Sequence, residues 1–228
     1  MAAGVKDSLL RGAAGRVRVV ELSAPPAAGK TTVLHALLAR AAAPAAPVHL
    51  HHRRQGPGYR RYRRFVVMWR ELPMWFAAWR VLAAAIGPRA AGTRTAKYLT
   101  HLWRREEQAR LTPTATLVED EGFISWAATD ISQAPAFADW LRCYGARLYP
   151  AELGGRPAEY VITPIECSEW LRVQRILRRR LQRGSPARAA RKTRANGLRS
   201  SARAAERQAR AIVEELPTVR RSAGDAPP

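Results

Sequence analysis

Arg16-Val17-Arg18-Val19-Val20-Glu21-Leu22-Ser23-Ala24-Pro25-Pro26-Ala27-Ala28-Gly29-Lys30-Thr31-Thr32 (RVRVVELSAPPAAGKTT) is the stretch on which the fold turns. Arg16 to Leu22 is rich in β-branched residues, and a Pro/Ala/Gly run from Ala24 to Gly29 follows it, which predicts a strand entering a loop. From Lys30 the period changes. Leu34, Leu37, Leu38 and Ala41 recur at helical spacing until Pro44 and Pro47.

Between strand and helix, Ala24 to Thr31 (APPAAGKT) matches the phosphate-loop signature GxxxxGK[ST] everywhere except its first glycine. Such a loop works by curling consecutive backbone N–H groups around phosphate oxygens at a helix N-terminus, with the lysine as a mobile charge near the terminal phosphates. The donors here are Ala27, Ala28, Gly29, Lys30, Thr31 and Thr32. None is proline, so every one carries an N–H; Pro25 and Pro26 fall just before the set. Ala24 and Ala27 stand where glycine is frequent, and positive φ at either costs about 1–2 kcal/mol.

A triphosphate arrives with Mg²⁺, which takes oxygen ligands from a loop hydroxyl, a carboxylate and water. Thr31 offers the hydroxyl. Thr116 to Gly122 (TLVEDEG) is the one apolar stretch that ends in an acidic cluster, so Asp120 is the expected metal-side carboxylate. Glu121 is then placed to act on the nucleophile or to hold a water.

Taken together, APPAAGKTT at Ala24 to Thr32, DEG at Asp120 to Gly122, and Tyr160-Val161-Ile162 followed by Glu169 and the arginines from Arg172 resemble the thymidylate-kinase-like branch of P-loop kinases. The resemblance runs in order from about Val17 to Leu216, and only the phosphate loop is specific on its own. It implies a P-loop NTPase fold, a three-layer α/β/α arrangement with a mostly parallel sheet, and ATP-dependent transfer of a γ-phosphoryl group. Arg175 and Arg179 match the family's Arg-xxx-Arg pair, with Arg183, Arg188 and Arg191 as lid arginines over the phosphates. Guanidinium forks suit that task because charge spreads over the equatorial oxygens during transfer. The acceptor side departs from the family. Either Arg53 or Arg54 could be its arginine after the second strand, and the Trp-rich insert has no motif for a nucleobase.

The 228 residues suit one domain over 1–221, with an insert at about 53–110, a lid at about 183–199 and a tail at 222–228. Further strands are expected at Pro47 to His52, Thr114 to Asp120 and Tyr160 to Ile165, with an edge strand at Thr218 to Arg221. Helical stretches are expected over Phe65 to Arg110, with breaks at Pro73 and Gly87-Pro88, and over Phe123 to Gly145, interrupted near Pro135. Helices are also expected at Ser168 to Gln182 and Ser200 to Leu216. Strands separated by helices predict a parallel sheet.

With 39 Lys plus Arg against 18 Asp plus Glu, the formal net charge is +21. The chain attracts anions, and nucleotide phosphates, nucleic acid and an acidic membrane surface all qualify. A P-loop ATPase that binds nucleic acid, and a degenerate P-loop protein that binds a partner, are therefore the competing readings. A homodimer is left open. Cys143 and Cys167 are too few for a disulfide framework, and no signal-peptide pattern interrupts the expectation of a cytoplasmic protein. Phe65 to Ile86 carries Arg70, Glu71 and Arg80, so it is expected to pack as helices rather than span a membrane. Its Trp69, Trp75 and Trp79 leave a membrane-surface or partner-facing role open. His49, His51 and His52 lack a carboxylate or cysteine to complete a metal site.

Overall fold

The computed structural model describes residues 15–24, 28–40, 48–49, 71–111, 116–119, 122–165, 168, 174 and 197–221. The stretch that opened the sequence reading forms strand β1 (Val17–Ser23) and helix α1 (Lys30–Arg40). Strand β2 (Val48–His49), helices α2 (Leu72–Ile86) and α3 (Pro88–Leu111), and strand β3 (Thr116–Glu119) follow. Helices α4 (Phe123–Gln133) and α5 (Phe137–Leu148) lead to β4 (Glu152–Leu153) and β5 (Arg156–Pro164). Helix α6 (Gly197–Glu214) and strand β6 (Val219–Arg221) complete the described part.

The sheet runs β2-β3-β1-β5, with β4 and β6 both against the far edge of β5. All pairings are parallel except β4 with β5. The chain is thus a mixed α/β protein built on a parallel sheet. The β1 ladder with β5 extends one step further, as Ile165 N–H donates to Ser23 O at 2.8 Å.

Side chains alternate across β1 because the strand period is two. Val20 and Leu22 face Leu34 of α1 together with Val118 and Val161. Val17 and Val19 face the opposite way, into a larger core with Leu117, Tyr160 and Ile162 that α2 to α6 complete. Tyr98 of α3 sits near the middle of that core, stacked on Phe123 at 5.8 Å and edge-on to Trp126 at 5.7 Å. Its hydroxyl donates to Asp130 at 2.8 Å, so the ring is buried and its polar tip satisfied.

The described part of the expected insert forms α2 and α3, which bury Met74, Trp75, Ala78, Leu82, Ala91, Tyr98, Trp103 and Ala109 in the core. Trp75 is 4% exposed and lies beside Tyr98 and Trp140, which leaves it no surface role. Trp69 lies outside the described residues. Pro73 does not break a helix. It stands in the first turn of α2, where a missing N–H costs no hydrogen bond. Gly87 at φ +84 separates α2 from α3, as the sequence suggested. The hairpin from β4 to β5 turns on Gly154 and Gly155, both at positive φ, and was not foreseen. The expected strand to His52, the basic loop after it and the helix at Ser168 to Gln182 fall largely outside the described residues. No described helix is long and apolar enough to cross a membrane.

Two connections position a site. Helix α1 carries the chain from β1 past β3 to β2, while α4 and α5 carry it from β3 past β1 to β5. Adjacent strands β1 and β3 therefore send their chains toward opposite edges of the sheet. In open α/β sheets the crevice outside the carboxyl ends of such strands is where ligands bind.

Candidate functional site

At the carboxyl end of β1, Gly29 has φ +105, a conformation that side chains with a Cβ rarely adopt. The glycine turns the chain into α1. The first i→i−4 bond of that helix runs from Val33 N–H to Gly29 O at 3.1 Å, so the N–H groups of Lys30, Thr31 and Thr32 precede the ladder. No acidic residue occupies the first turn of α1. Ala28 is buried, Lys30 is partly buried, and Thr31 and Thr32 are exposed.

Lys30 Nζ donates to Ser125 Oγ at 2.9 Å. Ser125 belongs to the first turn of α4, which starts just beyond β3. The lysine thus reaches across the carboxyl ends of β1 and β3, and the starts of two helices meet around it. Both helix N-termini carry partial positive charge, and Lys30 adds a full one. The arrangement attracts a polyanion. Ser125 was not singled out from the sequence, because only the tertiary fold brings it to Lys30.

Beneath the strand ends lies a buried ionic cluster that sequence reasoning also missed. Glu21 and Glu119 are adjacent in the β1/β3 register and face the larger core. Between them stands Arg105 of α3, fully buried. It donates to Glu119 through Nε and Nη2 at 2.5 Å each, to Glu21 Oε2 at 3.3 Å and to Leu148 O at 3.0 Å. His101 Nε2 lies 3.0 Å from Glu119 Oε2, and Tyr149 donates its hydroxyl to Glu21 Oε2 at 2.8 Å. The other Glu21 oxygen accepts Ile124 N–H at 2.7 Å, which caps the start of α4. Gly122 permits this, because a Cβ there would overlap the Glu21 carboxyl group.

The two carboxyls are driven in opposite directions. Burial raises Glu21, and the Glu119 charge adds to the rise against the pull of Arg105. Burial would also raise Glu119, yet Arg105 and His101 outweigh it and hold the group down at about 2. Burial works against the Arg105 cation as well, and Glu119 more than restores it, so its pKa is raised. Glu119 therefore contributes stability that is complete above the ordinary glutamate range near 4.5 and is lost as pH falls toward about 2. Glu21 has the opposite sign, favouring the fold below its ordinary range and losing that contribution as pH rises through its raised value. Glu119→Gln is expected to lower the melting temperature near neutral pH, with the gap to the native chain closing as pH drops through that window. Thermal unfolding across pH measures it. A gap independent of pH would contradict the assignment.

Among the sequence-based site residues, the fold joins Ala28, Gly29, Lys30, Thr31 and Thr32 at one turn. Ala27, Asp120, Glu121, Arg175, Arg179, Arg183, Arg188 and Arg191 lie outside the described residues, as do Arg53 and Arg54. Among the described residues no group of three His, Cys, Asp or Glu could hold a metal ion. Glu21 and Glu119 are committed to Arg105, Tyr149 and Ile124, so neither is available to a cation at the strand ends. Cys143 is a free, exposed thiol.

No protein-family model, no curated protein and no solved structure matches the chain.

Proposed function

We propose that the chain is an ATP-dependent phosphotransferase that moves a γ-phosphoryl group, with Mg²⁺, to a small-molecule or nucleotide acceptor. One observation carries the reading. Lys30 follows the positive-φ Gly29 and joins the starts of α1 and α4 outside the carboxyl ends of β1 and β3. That crevice is where an open α/β sheet binds ligands, and the GKTT turn supplies what triphosphate chemistry requires.

In this reading the N–H groups from Ala27 to Thr32 cradle the phosphates, and Lys30 neutralises charge on the terminal ones. Ser125 holds the Lys30 ammonium at the crevice. Thr31 and Asp120 hold the metal ion, which when bound neutralises phosphate charge, and Glu121 orients the attacking group. Arg175 and Arg179 clamp the transferring phosphoryl, with Arg183 and Arg188 closing over it. Transfer is mainly positioning plus neutralisation, so few residues need to exchange protons.

The class of reaction is tested by ATP turnover with and without candidate acceptors. Turnover should require Mg²⁺, rise when the correct acceptor is supplied and transfer the γ-phosphoryl group to it. Tight ATP binding with turnover indifferent to every acceptor would contradict a kinase.

A further inference from the structure

The outward face of α3 carries a second concentration of positive charge, remote in role from the phosphate turn. Arg89, Thr93, Lys97, Thr100 and Arg104 follow one another at intervals of four, four, three and four residues, which aligns them along one side of the helix. At about 1.5 Å per residue the stripe is roughly 22 Å long. It lines two open hollows of about 570 and 680 Å³ that share Arg89, Thr93 and Lys97, so they form one trough. Small residues make room in it. Gly92 has nothing within 4 Å of where a Cβ would stand, and Ala96 is exposed.

No carboxylate lines the trough among the described residues. Arg94, which borders one hollow, is paired with Asp130 at 3.2 Å. Arg89 and Lys97 are exposed. At the end of the trough where α3 begins, Pro88 O accepts the Trp79 indole N–H at 3.2 Å. Trp79 in turn stacks on Phe76 at 5.7 Å, and Phe76 is 56% exposed. A cationic, hydroxyl-bearing trough that ends at the exposed ring of Phe76, backed by the partly buried Trp79, has the chemistry of a single-strand binding surface, in which the groove follows phosphates and rings stack on bases. A base-paired duplex offers no free base faces to such a ring.

We propose that the α3 trough binds single-stranded nucleic acid, with phosphates along Arg89 and Lys97 and a base on Phe76. The proposal does not depend on the phosphotransferase reading. Binding of a fluorescent single-stranded oligonucleotide to the full chain, followed by anisotropy across salt concentrations, tests it. Two neutralised phosphates contribute about 1.4 to the slope of log affinity against log salt, near 0.7 each. The Arg89→Ala/Lys97→Ala variant should flatten the slope by about 1.4. Phe76→Ala should weaken binding about fivefold or more with the slope unchanged. An Arg142→Ala/Arg207→Ala control, which alters exposed arginines on α5 and α6, should leave the slope as it was.

All these residues lie at the surface, so unchanged thermal unfolding separates lost binding from lost fold. A slope altered equally by the control pair, or untouched by the trough variant, overturns the proposal. Preference for duplex, or binding to phosphatidylserine vesicles but not to the oligonucleotide, overturns it as well.

Discussion

Arg105→Met is expected to lower the melting temperature by roughly 10 °C, at about 3–5 kcal/mol for stripping the partner from a buried charge and about 2–4 °C per kcal/mol at this chain length. Methionine fills much of the same space, so the loss is electrostatic rather than a cavity. What remains are two carboxylates on adjacent strands, Glu21 and Glu119, with no cation between them. The guanidinium also lies 4.4 Å from the Phe123 ring centroid and 5.1 Å from that of Tyr149, contacts a thioether replaces only in part. Because the groups act together, Arg105→Met combined with Glu119→Gln should cost less than the sum of the two single changes. Thermal unfolding of the four chains measures the coupling. Additive losses would show that Arg105 and Glu119 are independent.

Gly122→Ala is expected to be nearly as disruptive for a single methyl group. Its backbone is extended rather than left-handed, with φ −90 and ψ −172, so the conformation itself is not at issue. The obstacle is the Glu21 carboxyl group, which occupies the space a Cβ needs and is fastened there by Ile124 N–H, Tyr149 and Arg105. Either Glu21 gives up those bonds or the start of α4 moves. Overpacking of this kind costs about 1–3 kcal/mol, and the lost cap adds about 1 kcal/mol. Movement of α4 also takes Ser125 away from Lys30, so nucleotide affinity should fall together with stability. Thermal unfolding and nucleotide titration of the variant check both; native stability would show that the cap is dispensable.

Much of the architecture is legible in the sequence where the pattern is local. RVRVVEL, TATLVED and YVITPI each carry the β-branched content of a buried parallel strand, and their described residues lie in β1, in β3 at Thr116–Glu119 and in β5. The strand from Tyr160 begins four residues earlier than expected. Glu159 is polar, yet it is held in the sheet by Arg18 and Arg220, each at 3.1 Å, and such distant partners leave no local signal. The β4 hairpin did leave one. Gly154-Gly155 between two short runs is a two-residue turn signature that can be read directly.

The site divides in the same way. Gly29, Lys30, Thr31 and Thr32 are contiguous, so their motif reveals them. Ser125 lies 95 residues from Lys30, and Arg105 lies 84 from Glu21. A charged residue inside an apolar strand, such as Glu21, signals that a buried partner exists without saying which one. The tryptophans mislead for a related reason. An aromatic-rich amphipathic helix looks alike whether its rings meet a membrane, a partner or, as for Trp75, Trp103 and Trp140, the chain's own core.

Lys30 and the turn before it are proposed to hold the phosphates of a nucleotide. Isothermal titration calorimetry of the full chain with ATP, with and without Mg²⁺, tests this most directly, alongside Lys30→Ala. Saturable binding that depends on Mg²⁺ and disappears in Lys30→Ala, while that variant unfolds at the native temperature, is the expected result. Absence of binding by the native chain, or equal binding by Lys30→Ala, would contradict the proposal.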